Sequence, residues 1–143
     1  MMETIPLKKR SFERLVLSYG ENSTGLFGLL VVSGREISRF HARILDISGG
    51  GMRLAVKKED GRAIKVGDRI IFKKALENEK LSFCIDVELE IQWIIEAELL
   101  THVAFGCEYR NLPEALREQI IKFVEYEIRS RSPQSRLNAP HPL

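Results

Sequence analysis

The chain has 143 residues, a length that predicts one domain with a substantial core. Hydrophobic residues make up 44% of the sequence and charged residues 29%, which is typical of a soluble globular protein and excludes disorder over most of the chain. The formal net charge is only +2, so the sequence shows no broad basic field for nonspecific binding to nucleic-acid duplexes.

The amino-terminal part of the chain predicts a basic leader and two strands. Residues 1–9 show no hydrophobic period and end in two lysines, so we predict a flexible leader there. A first strand is predicted over 12–19, and the turn-forming residues of 20–25 end it. The apolar run 26–32 predicts a second, buried strand.

The next segment predicts two strands joined by a glycine turn. Apolar and basic side chains alternate from Ile37 to Ile47 with the two-residue period of a half-buried strand. The run Gly49–Gly51 predicts a turn that reverses the chain, and the alternation resumes over 52–56. A charged loop is predicted over 57–61.

The second half of the chain predicts three further strands. A turn at 66–68 leads into a short strand over 69–73. The clearest alternation in the sequence runs over 81–93 and predicts one long antiparallel strand with a solvent-exposed face. A strand of this length is expected to contain a bend or bulge if the sheet closes into a barrel. The last strand is predicted over 102–109.

One amphipathic helix is predicted over about 113–130. Pro113 suits a first helical turn, and apolar residues recur after it at three- and four-residue steps. Residues 132–143 contain three prolines and no apolar period, which predicts a disordered tail. Six or seven strands, short connections and one helix together predict a mainly β fold, a small antiparallel barrel with a carboxy-terminal helix over residues 10–131.

Two groups of residues have the chemistry of a site for an anion and a purine. Arg10 and Arg14 lie four residues apart, and a guanidinium can donate to two phosphate oxygens or to the outer edge of a guanine. Asp46 can accept from purine N–H groups, Ser48 can bind a phosphate or ribose, and the glycines that follow let a ligand approach the backbone. The predicted ligand-binding residues are Arg10, Arg14, Asp46, Ser48 and Gly51, with Lys9, Gly50 and Trp93 as candidate further contacts.

These residues also have ordinary structural interpretations. The two arginines can belong to a solvated basic leader, and Asp46 and Ser48 can bond the backbone of their own turn, as Asp and Ser often do before glycine. Trp93 falls on the apolar face of its predicted strand, which favours packing in the core over stacking on a ligand. A second series of arginines at the same spacing is interpreted as the polar exterior of the barrel: Arg35, Arg39 and Arg43.

The order and pairing of these motifs resemble the PilZ family, the bacterial receptors for cyclic di-GMP. In this sequence Arg10 and Arg14 match the family's Arg-x-x-x-Arg, and Asp46, Ser48 and Gly51 match its Asp-x-Ser-x-x-Gly. The resemblance covers roughly residues 8 to 130 and includes four further strand and turn segments: Ala42–Leu45, Met52–Leu54, Val66–Asp68 and Phe105–Tyr109.

The resemblance implies a non-enzymatic receptor that holds cyclic di-GMP, as one molecule or a stacked pair, between the leader arginines and the Asp46 turn. Ligand binding would order the leader on the barrel and change the surface shown to an unidentified protein effector in motility or biofilm regulation. One alternative is a PilZ-fold protein-interaction module of a motility or pilus system that binds no nucleotide. A binder of RNA or single-stranded DNA is another, but the strands lack a set of outward aromatic residues, so nucleic acid is the less favoured partner.

Nothing in the sequence predicts catalysis, a cofactor or a metal site. There is no phosphate-loop signature and no cysteine–histidine spacing typical of metal ligands, and Asp46 has no evident acid or base partner. Cys84 and Cys107 are interpreted as ordinary reduced thiols, with a disulfide or a redox role as the alternative. The apolar runs are far shorter than the ~18 residues that cross a bilayer, and the amino terminus lacks a secretory apolar core, so we predict a cytoplasmic protein.

Overall fold

A computed structural model describes residues 12–17, 26–32, 38–61, 64–96 and 101–131. The predicted leader, Lys9, Arg10 and the predicted tail lie outside the described residues. Within the described part, no helix has both the length and the apolar character needed to cross a membrane. The strands are β1 (Arg14–Val16), β2 (Leu26–Val32), β3 (Ser38–Ser48), β4 (Gly51–Lys57), β5 (Arg69–Leu76), β6 (Val87–Glu96) and β7 (His102–Arg110), and the helices are α1 (Lys58–Gly61) and α2 (Glu114–Arg131).

Six of the strands close into an antiparallel barrel. Their order is β3-β2-β5-β6-β7-β4, and β4 pairs back onto β3. The extra strand, β1, pairs with the end of β3 beyond the stretch that pairs with β2, so that Arg14 lies opposite Ser48 and Val16 opposite Asp46. The predicted fold class, a small antiparallel barrel with one carboxy-terminal helix, is confirmed.

The barrel interior is filled by side chains that alternate inward along each strand. The inward residues predicted for β3 are indeed buried, with Phe40 at 8%, Ala42 at 1% and Ile44 at 0% exposure. Helix α2 packs against β1 and β3 and buries Ile120 and Val124. The largest fully buried side chains are Phe72, Phe105, Leu30, Ile44, Ile47, Met52, Leu54, Ile70, Leu81, Leu89, Ile91 and Ile120.

Strand β3 carries a bulge just before Asp46. Its register with β4 shifts between Ile44 and Asp46, which makes Leu45 an extra residue. Ile44 and Ile47 are both fully buried, although a regular strand would turn residues three apart to opposite faces. Asp46 lies opposite the exposed Arg53. The bulge therefore directs the side chain of Asp46 to the outer face of the barrel.

The prediction of one strand over 81–93 is wrong in its first half, because β6 begins only at Val87. A 3₁₀ turn forms at Glu79–Leu81, where the Asn78 side chain accepts from the Leu81 amide at 3.2 Å. Asp86 then takes a φ of 54°, which a strand cannot accommodate. Leu81 and Cys84 are therefore buried in a turn rather than on one face of a strand, and Ile85 is 57% exposed.

The irregularity expected in this long strand is present in β6. Its register with β7 shifts between Ile91 and Trp93. Ile91 is fully buried, whereas Trp93 is only half-buried and its indole lies across Gly106, where an added Cβ would overlap the ring. The prediction that Trp93 packs in the core is therefore wrong, because the bulge turns its side chain to the outer surface.

Candidate ligand-binding site

A cavity of about 440 Å³ opens on the outer surface of the barrel beside the β3–β4 turn. This volume is within the range of roughly 300 to 1,000 Å³ that small-molecule sites occupy. The residues that line the cavity come from the segment before β1, from β1, from the end of β3 and its turn, and from β4, β6 and β7: Phe12, Arg14, Ser48, Gly50, Gly51, Met52, Arg53, Gln92, Trp93, Gly106, Cys107 and Glu108.

Asp46 is held between two arginines at the edge of this cavity. Its Oδ1 accepts a hydrogen bond from Nη1 of Arg14 at 2.8 Å, and its Oδ2 lies 3.2 Å from Nε of Arg53. The Asp46 side chain is only 4% exposed, so it has lost most of its hydration and depends on these two cations. A guanidinium has five N–H donors, so each arginine keeps donors for an anion in the cavity.

The Trp93 indole forms one wall of the cavity, and Arg53 lies over it. The Cζ atom of Arg53 is 5.6 Å from the ring centroid, which is the geometry of a cation–π contact. Because Gly106 has no side chain, the ring rests directly on the neighbouring strand β7. The cavity thus combines a flat aromatic surface with two cationic groups.

The β3–β4 turn is braced by its own serine and by Tyr109. The Ser48 hydroxyl accepts from the Gly50 amide at 3.1 Å and lies 3.4 Å from the Gly51 carbonyl oxygen, to which it donates. The Tyr109 hydroxyl donates to the Ser48 carbonyl oxygen at 2.9 Å. Burial raises the pKa of Tyr109 well above its ordinary value, so the hydroxyl keeps the proton that it donates. These bonds fix the turn in one shape.

Gly51 is needed for packing of the backbone. An added Cβ at this position would overlap the carbonyl oxygen of Cys107 on β7, which is backbone and cannot move aside. At Gly50 an added Cβ would come 3.2 Å from the Phe12 ring, a much milder contact. The sequence interpretation that the glycines give a ligand room therefore misses the main structural role of Gly51.

Phe12 and Arg117 join the turn to helix α2. The Phe12 ring packs on Gly49 and Gly50, and the Cζ atom of Arg117 lies 5.9 Å from its centroid. Arg117 also donates from Nη1 to the Gly49 carbonyl oxygen at 2.5 Å. The segment that carries Arg14 is thereby in contact with the turn on one side and with α2 on the other.

The PilZ domain family matches residues 8–126 of the sequence. This chain belongs to the PilZ domain family. Membership of the PilZ family, expected from the paired motifs, is therefore confirmed. No protein with curated annotation matches the chain.

Solved PilZ structures share the fold. The PilZ domain of YcgR from Escherichia coli, solved with c-di-GMP, is 13% identical with a TM-score of 0.66, over 92% of this chain and 99% of that one. The K. pneumonia MrkH–c-di-GMP complex is 16% identical with a TM-score of 0.65, over 88% of this chain and 54% of MrkH. Bacillus subtilis MotI/DgrA, an inhibitor of motility, is 15% identical with a TM-score of 0.59, over 86% of this chain and 52% of MotI. The chain thus spans about half the length of MrkH and MotI.

Of the predicted site residues of this PilZ domain, most of those described lie around the one cavity. Arg14, Ser48, Gly50, Gly51 and Trp93 line it, and Asp46 lies behind Arg14 and Arg53. Arg10 and Lys9 are not among the described residues. In the second arginine series, Arg39 is exposed and Arg43 half-buried on β3, neither lines this cavity, and Arg35 is outside the described part.

Sequence reasoning missed several residues of the site in this PilZ domain. Arg53 contacts both Asp46 and Trp93. Its position two residues after Gly51, on the polar side of an alternating strand, could have indicated that it belongs to the site. Four other residues reach the site only through strand pairing or packing in the fold, and no local pattern assigned them to it: Phe12, Gln92, Glu108 and Arg117.

Proposed function

We propose that this PilZ domain binds cyclic di-GMP in the cavity beside the β3–β4 turn and acts as a receptor rather than an enzyme. The observation that carries the proposal is the meeting of Arg14 with Asp46, from positions 32 residues apart in the chain, at a cavity that also contains Ser48. The complexes of YcgR and MrkH with c-di-GMP support the choice of ligand, because both proteins have the same fold.

The cavity offers a separate group for each part of such a ligand. Arg14 and Arg53 can each donate two parallel hydrogen bonds to a phosphodiester, or to the outer edge of a guanine, while one N–H group stays on Asp46. Trp93 lines the cavity beneath Arg53, and its half-buried ring provides a surface on which a guanine stacks beside that guanidinium. Arg10 is proposed to close over the ligand from the leader as a second clamp beside Arg14.

The proposed signal passes through the segment between the leader and β1. Phe12, which lies two residues before Arg14, is packed between the β3–β4 turn and Arg117 of α2. A ligand that pulls the leader onto the cavity would shift Phe12 and so change its contact with the helix. We propose that a protein effector recognises the resulting surface of the leader and α2.

The expected affinity follows from the number of charge-assisted bonds. Such bonds contribute roughly 1.5 to 3 kcal/mol each. Four or five of them would offset the ordering of the leader and still leave the roughly 8 kcal/mol of a micromolar complex. Additional stacking on Trp93 would strengthen it further.

Calorimetry with cyclic di-GMP tests the proposal, with GTP and cyclic AMP as control ligands. We expect binding of cyclic di-GMP alone, and a loss of at least about tenfold in affinity for Arg14→Ala and for Asp46→Ala, since each variant removes one half of the ion pair. Arg39→Ala removes an exposed arginine that does not line the cavity and should bind like the wild type.

Circular dichroism would check that each variant is folded. Wild-type affinity in both the Arg14 and the Asp46 variant would contradict the assignment of the site. A folded wild-type protein that gives no heat with cyclic di-GMP would instead favour the protein-interaction module that binds no nucleotide.

A further inference from the structure

A second and larger cavity, of about 680 Å³, lies on the same outer surface of the barrel. It is reached by following β4 from Arg53 to Lys57 and β7 from Gly106 to His102. The four residue steps from Arg53 to Lys57 correspond to about 13 Å at the rise of a strand. The two cavities are therefore neighbours on one face, and none of the residues that the structure describes lines both.

Basic side chains from three adjacent strands surround this second cavity. His41 and Arg43 come from β3, Lys57 from β4 and His102 from β7, and Lys57 is paired directly with His102. Among the described residues that line the cavity there is no carboxylate. Asp60 lines an adjoining hollow together with His41 and Lys57. The cavity thus holds two cations, Arg43 and Lys57, together with two imidazole rings that can donate hydrogen bonds.

The floor and rim of the same cavity are apolar. Phe27 is 39% exposed and is the exposed apolar side chain of the lining, whereas Ala55 and Val56 form the floor and are buried, at 6% and 1% exposure. The guanidinium of Arg43 stands over the Phe27 ring, with Cζ 5.4 Å from the centroid. Exposed apolar surface that lies next to charged groups is typical of a protein–protein contact, in which covering the apolar part provides the driving force.

We propose that this second cavity, lined by Phe27, His41, Arg43, Lys57 and His102, is a docking surface for an acidic segment of a protein partner. The segment would place apolar side chains on Phe27 and Ala55 and carboxylates opposite the basic residues. The proposal goes beyond nucleotide binding and does not depend on it, because the residues belong to a separate cavity.

The lining favours a protein over a nucleic acid. Single-stranded nucleic acids use several aromatic side chains as stacking platforms, and apart from two histidines Phe27 is the one aromatic residue among those described around this cavity. Its ring is already in contact with the Arg43 guanidinium. A phosphate backbone would also leave the apolar floor uncovered, whereas an acidic peptide with apolar side chains would cover it.

Fluorescence anisotropy with a labelled synthetic peptide tests the proposal. The probe is a short peptide in which glutamates flank a central Leu-Phe pair. We expect it to bind the full chain, a version with lysines in place of the glutamates not to bind, and a version with Ser-Ser in place of Leu-Phe to bind at least about fivefold more weakly. A single-stranded oligonucleotide of the same formal charge is the fourth probe.

Charge-reversed variants of the protein locate the contact. Lys57→Glu combined with His102→Glu should weaken binding of the acidic peptide at least about tenfold, because one cation is removed and two carboxylates that repel the glutamates are added. The neutral pair Lys57→Gln and His102→Gln should bind the acidic peptide about fivefold more weakly than the wild type. This pair brings no like charges together across the strands. Lys122→Glu, an exposed lysine on α2, is the matched control and should change the affinity by less than about twofold.

Cyclic di-GMP calorimetry on the same variants separates this proposal from the nucleotide site. The neutral pair should bind the nucleotide like the wild type, since about 13 Å exceeds the screening length in physiological salt. The docking proposal is overturned if the acidic peptide does not bind the wild type. It is also overturned if Lys122→Glu weakens peptide binding as much as the charge-reversed pair does. Tighter binding of the oligonucleotide, lost on reversal of Lys57 and His102, would overturn it in favour of nucleic acid.

Discussion

Asp46 is a buried carboxylate whose environment is built from two different strands. Arg14 reaches it from β1 and Arg53 from β4, and both arginines are also exposed to solvent by about half. A buried charge that loses one partner is left partly uncompensated, so each arginine has a structural task as well as a proposed binding task. The two tasks are compatible because a fixed guanidinium loses less freedom when it binds an anion.

Arg53 provides a test at this scale, because sequence reasoning had not assigned it. We expect Arg53→Ala to weaken binding of cyclic di-GMP about tenfold, since it removes a cation from the cavity and the contact over Trp93. Arg53→Lys keeps the charge but not the planar fork, so it should recover only part of the affinity.

The fluorescence of Trp93, the one tryptophan in the chain, gives the readout beside calorimetry. Arg69→Ala on β5, which does not line the cavity, is the matched control. Wild-type affinity in Arg53→Ala would contradict a contact between this residue and the ligand.

The residue types of the site were readable from the sequence, but their orientation was not. By parity with Phe40, Ala42 and Ile44, Asp46 would point into the core, where an unpaired carboxylate is very costly. The bulge at Leu45 reverses that parity. It arises from the pairing of β3 with β4, and no pattern within β3 alone specifies it.

Among the elements, the β3–β4 turn is held by contacts on three sides. Tyr109 of β7 bonds the Ser48 carbonyl, Arg117 of α2 bonds the Gly49 carbonyl, and Phe12 covers the glycines. A turn that is already fixed before the ligand binds loses little further conformational entropy on binding, because that entropy was lost when the chain folded.

The glycines of this turn predict an asymmetry in stability. Gly51→Ala should lower the melting temperature strongly or prevent folding, because its Cβ overlaps the backbone oxygen of Cys107. Gly50→Ala should have a small effect, since the Phe12 ring can shift by the few tenths of an ångström required. Thermal unfolding followed by circular dichroism measures both variants, and equal melting temperatures would contradict this account of Gly51.

Elements with a regular local period were predicted well. Strands β2, β3, β4 and β7 and helix α2 agree with the predicted segments to within a few residues, because burial on one face produces the period directly. The segment 81–86 has the same apolar spacing, yet Leu81 and Cys84 are buried in a turn. Spacing alone does not distinguish the two cases, and the positive φ of Asp86 leaves no clear trace in a single sequence.

For the molecule as a whole, charged side chains are unevenly distributed around the barrel. On β5, β6 and β7, Arg69 pairs with Glu88 and Glu90, and Arg110 pairs with Glu90 and Glu108. The hydrogen bond from Arg110 lowers the pKa of Glu90 below its usual value. The second cavity has no such carboxylate among its described lining residues, which sets it apart as a surface for an acidic partner.

Global stability should fall at alkaline pH because two thiols are buried in the core. Burial raises the pKa of Cys84 and of Cys107 from 9.0 to about 12. Below pH 9 both thiols are protonated in the folded and the unfolded chain, so stability is unaffected. As pH rises from 9 towards 12 only the unfolded chain releases its protons, and each thiol costs about 1.4 kcal/mol per pH unit.

Urea denaturation on both sides of pH 9 measures this loss. A variant with Cys84→Ala and Cys107→Ala should be less stable overall but should lose stability less steeply with pH. A decline of the same steepness in this variant would assign the alkaline loss to other groups, among them Tyr109, whose pKa burial also raises.

The outward alternation of β4 has a consequence for how a signal could be read. Arg53 and Lys57 project from the same side of one short strand, with only Ala55 between them on that face. A partner seated over the second cavity and long enough to follow β4 for about 13 Å to Arg53 would also reach a nucleotide bound beside Trp93. Such a partner could touch the messenger itself, so that protein and nucleotide together would form a composite epitope.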